Sequence, residues 1–204
     1  MIRWMDLEVA RARSGDEAAF ARLIERFAPA LYRFVRRFTP DPASAEDLLQ
    51  ETFIRAHRAI GGADPSRPFA PWLFRIAANL AITASRAARR RRRHETHCAA
   101  IGAVAARHGG ASAPAEEAEI KEVVRRAIDD LPPCYRAVVV LYYLEACALG
   151  GIAQALGIAE GTVKVRLHRA RALLRARLDS ALSGAPFLAS GKARADETPG
   201  PPPA

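Results

Sequence analysis

Apolar residues in the first half of the chain recur at spacings of three and four, the period of an amphipathic helix. Phe20, Leu23, Ile24, Phe27, Leu31, Phe34, Val35 and Phe38 predict one long helix, with Pro29 permitting a break or kink near its middle. Ser44 is placed to cap a second helix over 45–60, which buries Leu48, Leu49, Phe53 and Ala56 and is stopped by Gly61 and Gly62. Residues 61–71, GGADPSRPFAP, hold three prolines and two glycines and predict a loop. A third helix is expected from Trp72, burying Leu73, Ile76, Ala77, Leu80 and Ala84 and turning Arg75, Asn79, Ile82 and Arg86 elsewhere.

Helical phase resumes near Ala118 with Ile120, Val123, Val124, Ala127 and Ile128, breaks at Leu131-Pro132-Pro133, and continues through Val138, Val139 and Tyr142. The sharpest pattern runs from Gly151 to Leu178, where two helices flank a glycine turn. Val163, Leu167, Ala170 and Leu174 form one stripe that packs against Ile152, Ala153, Leu156 and Ile158. The opposite face carries Lys164, Val165, His168, Arg169 and Ala172, with no large apolar side chain that would need covering by the core. Gly157, just before Ile158, suits the left-handed position that ends a helix, and Gly161 and Thr162 open the next one. From Glu160 to Arg177 there are six Lys or Arg residues and a single acid, Glu160, at the helix start, where a negative charge suits the dipole. A basic helix-turn-helix of this kind points at duplex DNA. A solvated basic face would explain the charge, but neither the turn nor the two-sided wheel.

Composition narrows the reading. The chain has 204 residues, 50% apolar content and a net charge of +9, so it supports one or two globular domains and favours a polyanionic partner, nucleic acid or an anionic membrane surface. No apolar run approaches the roughly 18 residues of a membrane span. The opening MIRWMDLEVARARSGDEAAF has acids where a signal peptide is apolar, so a cytoplasmic location is expected. Cys98, Cys134 and Cys147 are odd in number and widely spaced, which predicts reduced thiols. His94, His97 and Cys98 offer three metal ligands without a fourth at a familiar spacing, so neither metal nor cofactor is expected. The absence of a Walker loop, zinc-ligand signature or nucleophile elbow argues against an enzyme and a small-molecule substrate. Residues 95–117, rich in Ala, Gly and Ser, predict a flexible linker. The expected architecture is all-α: a helical domain over 1–94, the linker, a helix-turn-helix domain over 118–182 and a disordered tail over 183–204.

Three segments in this order, AEDLLQETFIRAHRAI, RPFAPWLFRIAANLAI and LPPCYRAVVVLYYLEACALGGIAQALGIAEGTVKVRLHRAR, resemble the bacterial sigma factors of the extracytoplasmic-function type. The resemblance covers about residues 16–94 and 118–178. It implies that the helix over 45–60 docks on the clamp coiled coil of core RNA polymerase through Asp47, Gln50 and Glu51, which lie off the Leu49 and Phe53 stripe. It implies further that the loop Ala63 to Phe69 and the helix after it melt and read the −10 promoter element, with Phe69, Arg75, Asn79 and Arg86 as contacts. Phe69 and Trp72 are stacking surface or core; core is favoured for Trp72, and Phe69 stays open. In the −35 element, the resemblance and the wheel together place Lys164, Val165, His168 and Arg169 at the major groove and Arg166, Arg171 and Arg175 at phosphates, with Thr162 as a further DNA contact. An anti-sigma protein is implied as a partner by resemblance alone.

Three positions depart from the family pattern. Ala148 to Gly151 lack the usual cap and acids at the start of the first helix of the motif, Val165 replaces a small polar residue, and Thr83 an acid. The competing readings are a stand-alone helix-turn-helix regulator that never meets polymerase, and an interaction protein with a basic surface for RNA or lipid. The polar helix over 45–60 and the arginine-rich element after it separate the first of these from a promoter-specificity subunit.

Overall fold

The computed structural model describes residues 2–98 and 113–182, with side chains over 5–91 and 118–181. The expected tail lies outside the described residues. Eight α-helices occur among them: α1 (Ile2–Arg13), α2 (Glu17–Arg36), α3 (Pro42–Ala59), α4 (Phe69–Cys98), α5 (Ala113–Asp129), α6 (Pro133–Val139), α7 (Leu149–Leu156) and α8 (Glu160–Leu182). A 3-10 turn, Ile60–Gly62, ends α3, and a π-helical turn, Val140–Leu144, extends α6.

Caps fix the first helices. The Asp16 carboxylate accepts from the Ala19 N–H at 2.9 Å to start α2, which continues through Pro29 as one helix. Ser44, expected as the cap of α3, is displaced from that role by Asp41, whose carboxylate accepts from both the Ser44 N–H and the Ser44 hydroxyl at 2.8 Å. Asp41 followed by Pro42 at the first helical position is the stronger start signal, because proline pre-sets the backbone and needs no N–H there. These hydrogen bonds hold the Asp16 and Asp41 carboxyls below the usual carboxylate range; for each, the backbone N–H it accepts is the largest cause. Helix α1 had no counterpart in the sequence reading; it packs on α2, where the Arg22 guanidinium meets the nearly buried Glu8 carboxylate at 2.8 Å.

Two boundaries move. Helix α4 begins at Phe69 rather than Trp72, since Pro71 falls in its first turn, where no backbone N–H is required. Helix α4 runs to Cys98 and α5 starts at Ala113, so the expected linker 95–117 is helical at both ends; alanine and charged residues there are good helix formers.

Phe20, Leu23, Leu31, Phe34 and Val35 of α2 pack with Phe53 and Ala56 of α3 and with Leu73, Phe74 and Ala77 of α4. Leu131, Val138 to Leu141, Ile152, Val163, Leu167 and Ala170 fill the second half. The two halves share one continuous buried cluster, because α4 lies along α7 and touches α6. This explains a difference from the expected phase of α4. Leu73 and Ala77 are buried as expected, but Ile76, Leu80 and Ala84 are only half-buried, while Phe74, Ala78, Ala81 and Ser85 are buried. A helix with packed neighbours on two sides buries more than one stripe.

Candidate nucleic-acid interface

The turn between α7 and α8 is chemically specified. Gly157 ends α7 at φ +63°, its N–H bonding the Gln154 carbonyl at 3.3 Å while the Ile158 N–H bonds that of Ala153 at 3.0 Å. This pair of bonds closes the helix end and aims α8 across α7. Val163, Leu167 and Ala170 are buried at 0, 4 and 0% exposure, and Leu174 packs partly against them. The opposite face is open: Thr162, Lys164, His168 and Arg169 are exposed, Val165 is 50% exposed and Arg166 is half-buried. The expected wheel is therefore the observed one.

Not every cation on this helix is unengaged. Lys164 Nζ lies 3.2 Å from Glu160 Oε1 one turn back. Arg171 donates from Nε to the Tyr143 hydroxyl at 2.8 Å, with its guanidinium 5.7 Å from that ring's centre. Arg175 is exposed. Sequence reasoning missed Tyr143 because it lies in the π-helical turn, where one extra residue per turn shifts side chains off the α-helical phase. The start of α7 has no side-chain cap, as expected from Ala148, yet an acid reaches it from α8. Glu160 Oε2 is 3.8 Å from where a Cβ on Gly150 would stand, a negative charge near the positive end of α7.

On α4, Arg75, Asn79 and Arg86 are exposed. Arg86, Arg89 and Arg90 line one cleft with Thr83 and with Pro132 and Pro133 of the second half. Phe69, proposed as a −10 contact, is corrected by its burial: it is 7% exposed and held between Phe27 and Trp72, with ring centres 5.5 and 5.4 Å away. Trp72, for which core was favoured, is the half-exposed member of that pair. On α3, Asp47 and Gln50 are exposed, and Glu51 is half-buried and paired with Arg55 at 2.6 Å. Beside Gln50, the Phe20, Ile24, Phe53, Ile54 and His57 side chains form an apolar groove between α2 and α3. The DNA-facing and docking candidates thus lie on three separate helices.

Among the described residues, no cluster of His, Cys, Asp or Glu is placed to hold a metal ion, and no helix is long and apolar enough to cross a membrane. The side chains of His94, His97 and Cys98 lie outside the described set. Cys134 and Cys147 are free thiols, and burial pushes the Cys147 thiol up.

Residues 23–91 match the family model for sigma-70 region 2, and residues 121–174 that for sigma-70 region 4. The chain is 33% identical over 182 residues to the ECF RNA polymerase sigma factor SigW of Bacillus subtilis, covering 83% of this chain and 94% of that protein. It is 35% identical over 167 residues to the RNA polymerase sigma factor CarQ of Myxococcus xanthus, covering 81% and 92%. Among solved structures, CnrH in complex with the cytosolic domain of CnrY matches with a TM-score of 0.64 and 30% identity, over 86% of this chain and 97% of that one. The sigma factor RpoE of Bartonella quintana, solved with the anti-sigma factor NepR, shares the fold at a TM-score of 0.57 and 24% identity, over 78% and 96%. With a turn-closed recognition helix behind a region 2 unit, and relatives that span most of both chains, this chain belongs to the family of ECF RNA polymerase sigma factors.

Proposed function

We propose that residues 1–94 bind core RNA polymerase and engage the −10 element, and that residues 118–182 read the −35 element as duplex. The carrying observation is the solvent-open face of α8, where Lys164, Val165, His168 and Arg169 stand together behind a buried Val163 and Leu167 stripe. Arg169 or Lys164 pairs with guanine, the Val165 methyls meet a thymine methyl, and Thr162, Arg166, Arg171 and Arg175 hold phosphates. On α4, Asn79 is the base contact, and Arg75 and Arg86 neutralise the backbone of the opened strand. Asp47 and Gln50 on α3 meet the polymerase clamp, with Glu51 at their edge. The chain catalyses nothing in this scheme and uses no cofactor or small-molecule substrate. Its place of action is the cytoplasm. An anti-sigma protein is a fitting partner, in line with the complex described for the Bartonella quintana sigma factor.

The test is a pull-down with core polymerase, paired with transcription. Wild type should be retained and initiate, and Asp47→Arg or Gln50→Arg should weaken retention by roughly tenfold or more, the effect of placing a wrong charge at a rim that steers association. Normal retention of both variants removes α3 as the docking face.

A further inference from the structure

The π-helical turn Val140–Leu144 carries a side chain to which the proposed function gives no role. The Glu145 N–H reaches back five residues to the Val140 carbonyl at 3.1 Å, and this wider turn sends Tyr143 toward α8. Tyr143 is 49% exposed, yet its position is set from two sides. Its ring stands edge-on to Tyr142, 4.9 Å between centres, and Tyr142 packs against the core. Its hydroxyl accepts from Arg171 Nε at 2.8 Å, across 28 residues of sequence. The elements around the turn are anchored as well: Glu145 Oε2 meets Arg33 Nη2 at 2.9 Å, and the nearly buried Arg136 of α6 donates to the Arg37 carbonyl at 2.6 Å. Tyr143 thus rises from a turn that is held at both ends.

Arg171 is the cation that this arrangement controls. Lys164, His168, Arg171 and Arg175 recur at steps of four, three and four, so they form one exposed row along the edge of the solvent face of α8. Lys164 in that row is paired with Glu160, whereas Arg171 meets no carboxylate among the described residues and is held by the Tyr143 hydroxyl. The chemistry of this contact suits a phosphate. With Nε–H engaged, the Nη donors of the guanidinium stay free, and they can grip the oxygens of one phosphate in parallel. A neutral hydroxyl also leaves the positive charge uncompensated, where a carboxylate would cancel it. The tyrosine oxygen, accepting from Arg171, keeps its own proton to donate.

We propose that Tyr143 is a positioning residue for duplex binding: it holds the Arg171 guanidinium in the orientation that grips a DNA phosphate, so that the DNA interface of α8 is supported from the π-helical turn. This rests on the proposed function for Arg171 as a phosphate contact, but the bond between Tyr143 and Arg171 does not. Ordering a long arginine side chain before the duplex arrives removes an entropy loss that binding otherwise bears. A phosphate contact carries no sequence information, so the gain applies to every duplex.

The test is a double-mutant cycle on the full chain, with Tyr143→Phe, Arg171→Ala and the two combined. Affinity is measured for a labelled duplex pool of random sequence over a range of salt concentrations, and denaturant unfolding of each variant checks the fold. Phenylalanine keeps the ring and its contact with Tyr142 and removes only the hydroxyl. Arg171→Ala should weaken binding roughly tenfold and reduce the slope of log affinity against log salt by about one. Tyr143→Phe should weaken binding about fivefold with the slope kept, because the cation remains. The combined variant should match Arg171→Ala, since without the guanidinium the hydroxyl has nothing to position; a merely structural role for Tyr143 would add its loss in either background. Tyr143→Phe that binds as tightly as wild type, losses that multiply in the combined variant, or an affinity loss that follows a lowered unfolding midpoint would each overturn the proposal. The first of these leaves the −35 reading of α8 standing, whereas wild type that binds no duplex would take both down.

Discussion

Helices α4 and α8 are both long, basic and expected at DNA, yet they are built differently. Helix α8 buries one stripe, Val163, Leu167 and Ala170, and leaves the opposite face to solvent. Helix α4 buries Leu73 and Ala77 toward one side and also Phe74, Ala78, Ala81 and Ser85, because α2 and α3 pack on it along with α6 and α7. A helix with one packed side presents its partner face unconditionally. Packed on several sides, a helix presents only what its neighbours leave, and α4 keeps Arg75, Asn79 and Arg86 exposed while Arg75 rests on Gly157.

The largest effects come from separating stripe from face on α8. Leu167→Ala should cost about 2–5 kcal/mol of stability, as buried Leu truncations do, with DNA binding lost alongside the fold. Arg169→Ala should leave stability within about 0.5 kcal/mol and cost about 1–3 kcal/mol of discrimination at one −35 base pair. Chemical denaturation and binding to a duplex panel read the two quantities. Equal loss on every duplex would remove Arg169 from the base-reading set.

A subtler comparison uses alanines. Ala81→Leu should overpack α4 and destabilise by about 1–3 kcal/mol, whereas Ala172→Leu on the exposed side of α8 should stay within about 0.5 kcal/mol. If both substitutions are neutral in denaturant titration, the extra buried face of α4 is not tightly packed.

The architecture and α8 were legible in the sequence because large apolar residues mark a single stripe, and the glycine turn announces itself. The extra buried face of α4 was not, since Ala78, Ala81 and Ser85 are small and carry no hydrophobic signal, and their covering comes from residues far along the chain. The burial of Phe69, which the sequence leaves open, and the half-exposure of Trp72, for which it favours core, are hidden for a related reason: an isolated aromatic does not reveal its phase until the helix start is known, and Pro71 suggests a later start. Tyr143, Glu145 and Arg136 act through contacts that no local pattern encodes.

The smallest effects concern backbone fit around the turn. Ala146 is the one non-glycine residue among those described with positive φ, at +49°, a conformation that costs an L-residue about 1–2 kcal/mol. Ala146→Gly should therefore stabilise by about 1 kcal/mol. In α7 the opposite change helps: a Cβ on Gly151 meets nothing within 4 Å, so Gly151→Ala should stabilise by about 0.5–1 kcal/mol. Calorimetry should show both melting points rising, and a fall for Gly151→Ala would mean that the start of α7 needs glycine for something other than space.

Run-off transcription by core polymerase on a library randomised at both promoter elements, with wild type and Arg169→Ala side by side, tests the two-point reading most directly. Initiation should depend on the added chain and enrich two sequence blocks, of which Arg169→Ala shifts only the upstream one. Initiation without enrichment, or a shift in the downstream block instead, would contradict the assignment of α8 to the −35 element and α4 to the −10.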